Sequence, residues 1–395
     1  MITLPKHIVK CEYQVEKNLV RRCYGESEII INNEDKGIVK SLTPFVIEQK
    51  GRRILLTSKR DDAVPEGCNY ALLINHQINS ASFARKDFEI KEWLVHPLMN
   101  NTATPEQIAK SWRGKFTFLQ EDRETKEPGL RKPQVSAIHA FLSRRYNLKD
   151  RSIIVMPTGT GKTETMLGIM VAAQCKKVLV TVPHDALRGQ LSDKFLTLGC
   201  LHKFGIVTSD CMCPYVSIIN TGMDIDGWKE IVSRSNVIIS TMPLLSQTSE
   251  EVRKYLSREI TNVFVDEAHH TEAPTWCEFL EVFPRTNIVQ FTATPFRNDG
   301  RKMRGEFIYT FSLRSAQSQG YYQKINFRPI YEIDKSKADA AIARQAVEIL
   351  RKDIAAGKDH ILMARCKDKQ RANAVFEHYK NYYYCPLKLF DSTKN

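Results

Sequence analysis

Residues Met156 to Thr163 read Met-Pro-Thr-Gly-Thr-Gly-Lys-Thr and stand between a short apolar run, Ile153-Ile154-Val155, and a helical pattern. Such a segment is constrained to a strand, a tight glycine turn, and a helix that opens over an anion. The apolar run has the length and character of a strand buried on both faces of a parallel sheet. Gly159 and Gly161 let the backbone turn and aim its N–H groups at phosphate oxygens, with Thr158 and Thr160 completing the loop. Lys162 would reach the β- and γ-phosphates, and the Thr163 hydroxyl would ligate Mg²⁺. The strict phosphate-loop pattern has Gly where this chain has Met156, so the match on residues alone is partial. The strand–loop–helix context makes it a nucleotide site, with ATP and Mg²⁺ as the implied cofactors.

About a hundred residues further on, Thr261 to Val265 is a second buried-strand pattern, and it runs into Asp266-Glu267-Ala268-His269-His270. A strand that carries two adjacent carboxylates on its C-terminal end puts them where open α/β sheets bind ligands. Asp266 would hold Mg²⁺ and Glu267 would orient and deprotonate the attacking water. Taken alone, the same residues also read as an acidic loop or the start of a surface helix. With Lys162 and Thr163 upstream they read as hydrolytic machinery.

From Leu130 to about His378 the chain resembles superfamily 2 helicases and translocases. The resemblance implies a RecA-like α/β fold, a doubly wound parallel sheet. It makes Gln134, in Leu130-Arg131-Lys132-Pro133-Gln134, the residue that reads the adenine base. It also makes Met156 to Thr163 motif I of that family, where the first Gly is dispensable. Val178 to Pro183 with Ala186-Leu187-Arg188-Gly189-Gln190 is similar to motif Ia, which implies nucleic-acid contacts at Pro183 and Arg188. Val237 to Thr241 resembles the next strand, with Thr241 on the phosphate backbone. Asp266 to His269 spells the DEAH form of motif II, and Phe291 to Gly300 is similar to motif III. His269, Thr292 and Thr294 would then couple nucleotide state to domain closure; the residues alone also allow His269 to be packed at a helix start, and coupling is the favoured expectation. Thr-Ala-Thr-Pro-x-Arg-x-Asp-Gly resembles the DNA-acting branch, which includes restriction-enzyme motor subunits and excision-repair helicases. Other words, among them Trp112 to Phe116 and Ile361 to Arg365, are similar to helicase subunits of Hachiman-type anti-phage defence.

The same family has a second RecA-like domain that supplies an arginine finger. Ala341 to Gly357 (helix), Asp359 to Arg365 (strand) and Asp368 to Tyr379 (helix) resemble the start of that domain. No Gln/His-x-x-Gly-Arg-x-x-Arg sequence follows Asp299 before the chain stops at Asn395. A finger is worth roughly 10³–10⁵ in turnover, so the expectation is ATP binding with poor hydrolysis. A fragment of a longer motor accounts for this; a naturally short protein that borrows the missing half is the alternative.

The formal net charge of +13 favours a polyanion partner but does not locate a track, because acidic residues are interleaved. Lys50 to Arg60 and Arg301 to Arg304 are candidate phosphate contacts or simply solvated faces. No apolar stretch approaches the ~20 residues that cross a bilayer, and Met1 to Lys6 lacks a signal-peptide layout, so the expected compartment is the cytoplasm. Of ten cysteines only Cys211-Met212-Cys213 form a close pair, so buried single thiols are expected rather than zinc.

Three blocks result. Residues 1–115 form an N-terminal α+β accessory domain, with strands at Glu28 to Asn32 and Gly51 to Thr57 and a turn at Asn33 to Gly37. The residues leave open whether it grips DNA, holds a partner subunit or caps the motor, and analogy with motor accessory domains favours a protein partner. Its last helix should begin at Thr104 as N-cap with Pro105 at the first position. Residues 116–129 read as a linker, 130–310 as the first RecA-like domain, and 325–395 as the start of the second. The leading expectation is an ATP-dependent motor on DNA. A nucleotide-switched module that closes on DNA or a partner, and an RNA helicase, are the alternatives.

Overall fold

The computed structural model describes residues 2–3, 7–26, 30–31, 45–49, 52–100, 102–270, 274–295, 303–323, 325–334 and 337–382. Its strands, in chain order, are β1 (Ile2–Thr3), β2 (His7–Val15), β3 (Asn18–Glu26), β4 (Ile30–Ile31), β5 (Phe45–Gln49), β6 (Arg52–Thr57), β7 (Tyr70–Ile74) and β8 (Ile90–Val95). They continue with β9 (Ser152–Val155), β10 (Val178–Val182), β11 (Tyr215–Ile218), β12 (Val237–Thr241), β13 (Asn262–Val265), β14 (Ile288–Thr292) and β15 (Glu306–Thr310).

Apolar side chains at consecutive positions leave a strand no solvent face, so it must be covered on both sides. β9, β10, β12 and β14 are buried at every position. Their alternate residues feed two separate cores. Ile154, Val180, Ile239, Phe264 and Phe291 lie in one, with helices Lys132–Arg144, Lys162–Ala172 and Asp185–Leu196. Ile153, Leu179, Ile238, Val263 and Ile288 lie in the other, with helices Ile225–Ser233, Glu250–Glu259 and Pro274–Glu281. The strands form a nine-stranded sheet in the order β15-β9-β14-β13-β10-β12-β11-β3-β2. Pairing is parallel from β15 through β11 and antiparallel from β11 to β3 and β3 to β2. This is the doubly wound α/β architecture expected from the sequence.

Two features differ from the three-block reading. The hairpin β2–β3 belongs to the large sheet, with Arg22 opposite Tyr215 and Leu19 opposite Ile218. It also reaches the second sheet, β5-β6-β7-β8, because Ile8 and Tyr24 share a core with Ile54, Leu72 and Trp93. Residues 116–129 are tied down rather than free: Thr117 donates to the Ile206 carbonyl at 2.7 Å, and Glu121 to that of Leu130 at 2.9 Å. Gly129 permits this return, since a Cβ there would lie 2.5 Å from the Gln120 backbone.

Other expected elements are found close to their predicted places. Helix Pro105–Ser111 starts with Thr104 as N-cap, in a reciprocal capping box with Gln107. The strand at 51–57 is β6. Of the strand at 28–32 only β4 is described, paired antiparallel with β1, and the turn at 33–37 lies outside the described residues.

The chain divides into two compact units, 1–322 and 323–395. In the second, helix Ala338–Ala355 packs on helix Lys369–Tyr382 through Ala343, Val347 and Tyr379. The strand expected at 359–365 does not form; Ile361 and Met363 are 94% and 88% exposed. A strand needs a neighbour to satisfy its backbone, and the described residues of this unit offer none. Among the described residues no helix is long and apolar enough to cross a membrane.

His96 provides a titratable probe of the smaller sheet. It is 5% exposed, wedged edge-on against Tyr70 and Trp93, and its Nδ1 accepts from the Leu98 N–H at 3.2 Å. Burial, then Arg52, lowers its pKa to about 4. A histidine depressed in the folded state contributes stability that is full above its unfolded pKa of about 6.5 and is lost as pH falls toward 4. Urea titrations across that window should therefore show a falling stability that is flatter in His96→Phe; equal slopes in both proteins would refute the assignment.

Candidate functional site

Parallel strands end at the same edge of a sheet, and β9, β14 and β13 are consecutive neighbours. Their C-terminal ends therefore bring together the glycine loop, the Thr292–Thr294 segment and the Asp266–His269 segment. β10 and β12 continue this edge: Val182 lies opposite Thr241, and the Asp266 N–H donates to the Thr181 carbonyl at 2.9 Å. Thr241 and Pro183 thus finish adjacent strands beside the carboxylates.

The loop 156–161 leaves β9 with Met156 tied to the Thr292 carbonyl at 2.9 Å. The Thr160 hydroxyl is buried and donates to the Pro157 carbonyl at 2.6 Å, while Thr158 is exposed. Gly159 and Gly161 have φ of +79° and +94°, the left-handed region that glycine adopts without strain. Helix Lys162–Ala172 then starts with no side-chain cap, which leaves its first amides for an anion, and half-buried Thr163 lies in its first turn.

Lys162 Nζ lies 2.6 Å from Glu267 Oε1, and the two side chains are 10% and 20% exposed. Glu267 itself has φ +48°, an uncommon conformation for a residue with a Cβ. Its other oxygen, Oε2, is 3.4 Å from His269 Nδ1, which is also 3.1 Å from the Thr292 hydroxyl. That hydroxyl donates to the Thr294 carbonyl at 2.9 Å and accepts from the Thr294 N–H at 3.3 Å. A hydroxyl has one hydrogen, so with that hydrogen on the Thr294 carbonyl the assignment consistent with these contacts puts the His269 ring proton on Nδ1. Lys162, Glu267, His269, Thr292 and Thr294 thus form one continuous polar chain across three strands. Burial pushes the Asp266 carboxyl up to about 6; Lys162 pulls it down and Glu267 raises it.

Not every expected residue is available for its expected contact. Gln134 is 4% exposed, and its amide is engaged at both ends, by the Arg131 N–H at 2.7 Å and the Gly161 carbonyl at 3.2 Å. Arg188 Nη1 donates to the Ile219 carbonyl at 2.8 Å and pairs with Asp185 at 3.1 Å, so its guanidinium is committed within the chain. Residues 296–300, the second half of the motif III likeness, lie outside the described residues, as do Arg301 and Lys302. Sequence reasoning missed Arg131 and Tyr322. Arg131 Nη1 donates to the Gly159 carbonyl at 2.6 Å, and its spacing of one helical turn from Gln134 was a usable signal. The Tyr322 hydroxyl lies 3.2 Å from where a Gly159 Cβ would stand, a proximity that nothing local encodes.

Among the described residues no cysteine joins this polar chain. Cys23, Cys211 and Cys213 line a cavity of about 670 Å³ with Arg22 and His202, beside β3 and β11. β14, β13, β10 and β12 all stand between β9 and β11. The described cysteines are free thiols, as expected; two of them are neighbours, Cys213 hydrogen-bonding Cys23, which with burial raises its pKa well above the ordinary thiol value.

A family model described as "Type III restriction enzyme, res subunit" matches residues 127–297. The DNA 3'-5' translocase XPB2 of Sulfurisphaera tokodaii is 24% identical over 208 residues, 51% of this chain and 40% of that protein. The chain thus spans less than half the length of that relative. Among solved structures, the Type ISP restriction-modification enzyme LlaGI, with a DNA substrate mimic, is 21% identical with a TM-score of 0.35, over 57% of this chain and 23% of that one. The Hef helicase domain of Pyrococcus furiosus is 17% identical with a TM-score of 0.32, over 56% and 47%. The fold rests on the strand order, not on these two likenesses.

An alanine Cβ at position 161 would lie 1.9 Å from Gln134 Nε2 in a left-handed backbone, whereas one at 159 meets only the Tyr322 hydroxyl at 3.2 Å. Gly161→Ala should cost about 1–3 kcal/mol in stability and lose nucleotide binding, with Gly159→Ala milder in both. Thermal melts and titration with a fluorescent ATP analogue check the ranking.

Proposed function

We propose that this chain, whose residues 127–297 form a superfamily 2 helicase-like domain, binds Mg-ATP at the β9–β14–β13 edge and couples its hydrolysis to movement on DNA. The observation that carries this reading is the polar chain from Lys162 through Glu267 and His269 to Thr292. It joins a phosphate-loop lysine, a carboxylate fit to act as general base, and the segment that follows the intervening strand.

The donors suit Mg²⁺ of a bound nucleotide. Among the described residues no three His, Cys, Asp or Glu side chains are placed to hold a metal ion. One half-buried carboxylate, Asp266, and one hydroxyl, Thr163, match a hard cation that takes its remaining oxygens from phosphates and water. When bound, it would neutralise charge on the β- and γ-phosphates. Lys162 leaves Glu267 for the phosphates, and Glu267 is then free to orient water and take its proton. His269, held on Thr292, transmits that change to the 292–294 segment. Gln134 would read the base with the second amide hydrogen and the second oxygen lone pair that its bonds to Gly161 and Arg131 leave. Pro183 and Thr241 face a nucleic-acid backbone along the same edge, and Arg188 joins them if it leaves Ile219.

DNA is the favoured track because of the Thr-Ala-Thr-Pro sequence and because XPB2 is named a DNA translocase. In this reading residues 130–310 are the motor domain and residues 325–395 begin its second half. The N-terminal block is an accessory that holds a partner, the setting is cytoplasmic, and the words shared with anti-phage helicase subunits suggest defence.

Two variants test this. Lys162→Ala should abolish Mg-ATP binding. Glu267→Gln should keep binding and lower DNA-stimulated turnover by about 10²–10⁴. Turnover that ignores DNA, or that survives Glu267→Gln, overturns the motor; stimulation by RNA alone would move the substrate class.

A further inference from the structure

Arg131 sits at the N-cap of helix Lys132–Arg144, one turn before Gln134, and the two side chains reach the same loop. Arg131 grips the carbonyl of Gly159 and Gln134 that of Gly161, the two loop glycines with left-handed φ. Carbonyl oxygens repel an anion, so a phosphate cradle works only if these two point away from it. In a trans peptide the C=O and the following N–H point in opposite directions. Holding the Gly161 carbonyl outward therefore turns the Lys162 N–H toward the open side, at the uncapped start of its helix. Holding the Gly159 carbonyl outward keeps the other oxygen out of the anion's path.

The grip is itself anchored. The Gln134 Oε1 accepts from the Arg131 N–H at 2.7 Å, which fixes the turn from which Arg131 extends. The Tyr321 hydroxyl accepts from the Lys132 N–H at 3.2 Å, and the Tyr321 ring lies 5.7 Å from the Arg131 guanidinium.

We infer that Arg131 is a positioning residue for the phosphate loop. Acting through the Gly159 carbonyl, and alongside Gln134, it preorganises the cradle for a polyphosphate whatever base that polyphosphate carries. The inference rests on reading residues 156–163 as the phosphate site.

The test compares ATP, GTP and inorganic tripolyphosphate, each with Mg²⁺, by calorimetric titration of the full chain. Arg131→Leu should weaken all three by a common factor of about ten, the worth of one charge-assisted hydrogen bond. Arg131→Lys, which can still donate to the Gly159 carbonyl, should retain most of the affinity with an unchanged melting temperature. Loss confined to ATP would make Arg131 a base contact and overturn the inference, as would unchanged affinity for tripolyphosphate. Lys162→Ala separates the two levels. If the wild-type chain binds none of the three and matches Lys162→Ala, the phosphate-site reading itself fails.

Discussion

Because β9, β14 and β13 pair in parallel without a gap, segments about a hundred residues apart in sequence finish at one edge of one sheet. This pairing is possible only because the strands are apolar on both faces and helices cover both sides. Ile153 and Ile154, adjacent in sequence, lie in different cores, so slipping a strand by one residue would exchange its two faces. Register is fixed by burial, and register sets where Lys162, Asp266 and Thr292 stand. The polar chain at the edge is thus a consequence of packing well below it.

The antiparallel hairpin β2–β3 solves a different problem. Without it β11 would be an open edge, a hazard for any sheet. Asn18, wholly buried at the hairpin turn, accepts from the N–H groups of Asn220 and Thr221 at 2.7 and 3.0 Å. Arg21 reaches across to Ser192 and Asp193 at 2.6 and 2.9 Å. Since Ile8 and Tyr24 also enter the core of the four-stranded sheet, the hairpin is shared between that sheet and the nine-stranded one. Its length and burial follow from having to serve both.

Local signals made much of this legible. Short, mostly apolar runs located β9, β10, β12 and β13 to within a residue, and the Thr104-Pro105 start marked its helix. The glycine loop and the carboxylate pair were visible as types at a spacing, and sheet order brought them together. What stayed hidden was pairing at a distance. Nothing in Asn18 to Glu26 announces that it will lie against Tyr215 to Ile218. The same reasoning over-read Asp359 to Arg365, whose apolar run Ile361 to Ala364 has no neighbouring strand to pair with among the described residues. Nor did local sequence announce the bonds that engage two of the predicted contact residues: Gln134 by its own cap and loop, Arg188 by Asp185 and Ile219.

The contact between Lys162 and Glu267 gives the unliganded site its character. A lysine turned toward phosphate and a glutamate turned toward water each need a counter-charge or solvent, and here each supplies the other's. Breaking such a part-buried pair without replacement is costly, so the lysine is not released until another anion competes for it. In the proposed function a triphosphate would be that anion, and its arrival would free the glutamate in the same event. Glu267 is held in a left-handed backbone and tethered to His269 and, through it, to Thr292. Its release therefore cannot remain local. The base would become available only when the lysine is occupied, and the strand-end segment would respond at the same moment. Binding, activation and signalling would then share a single ion pair, which stores little stability yet orders the sequence of events.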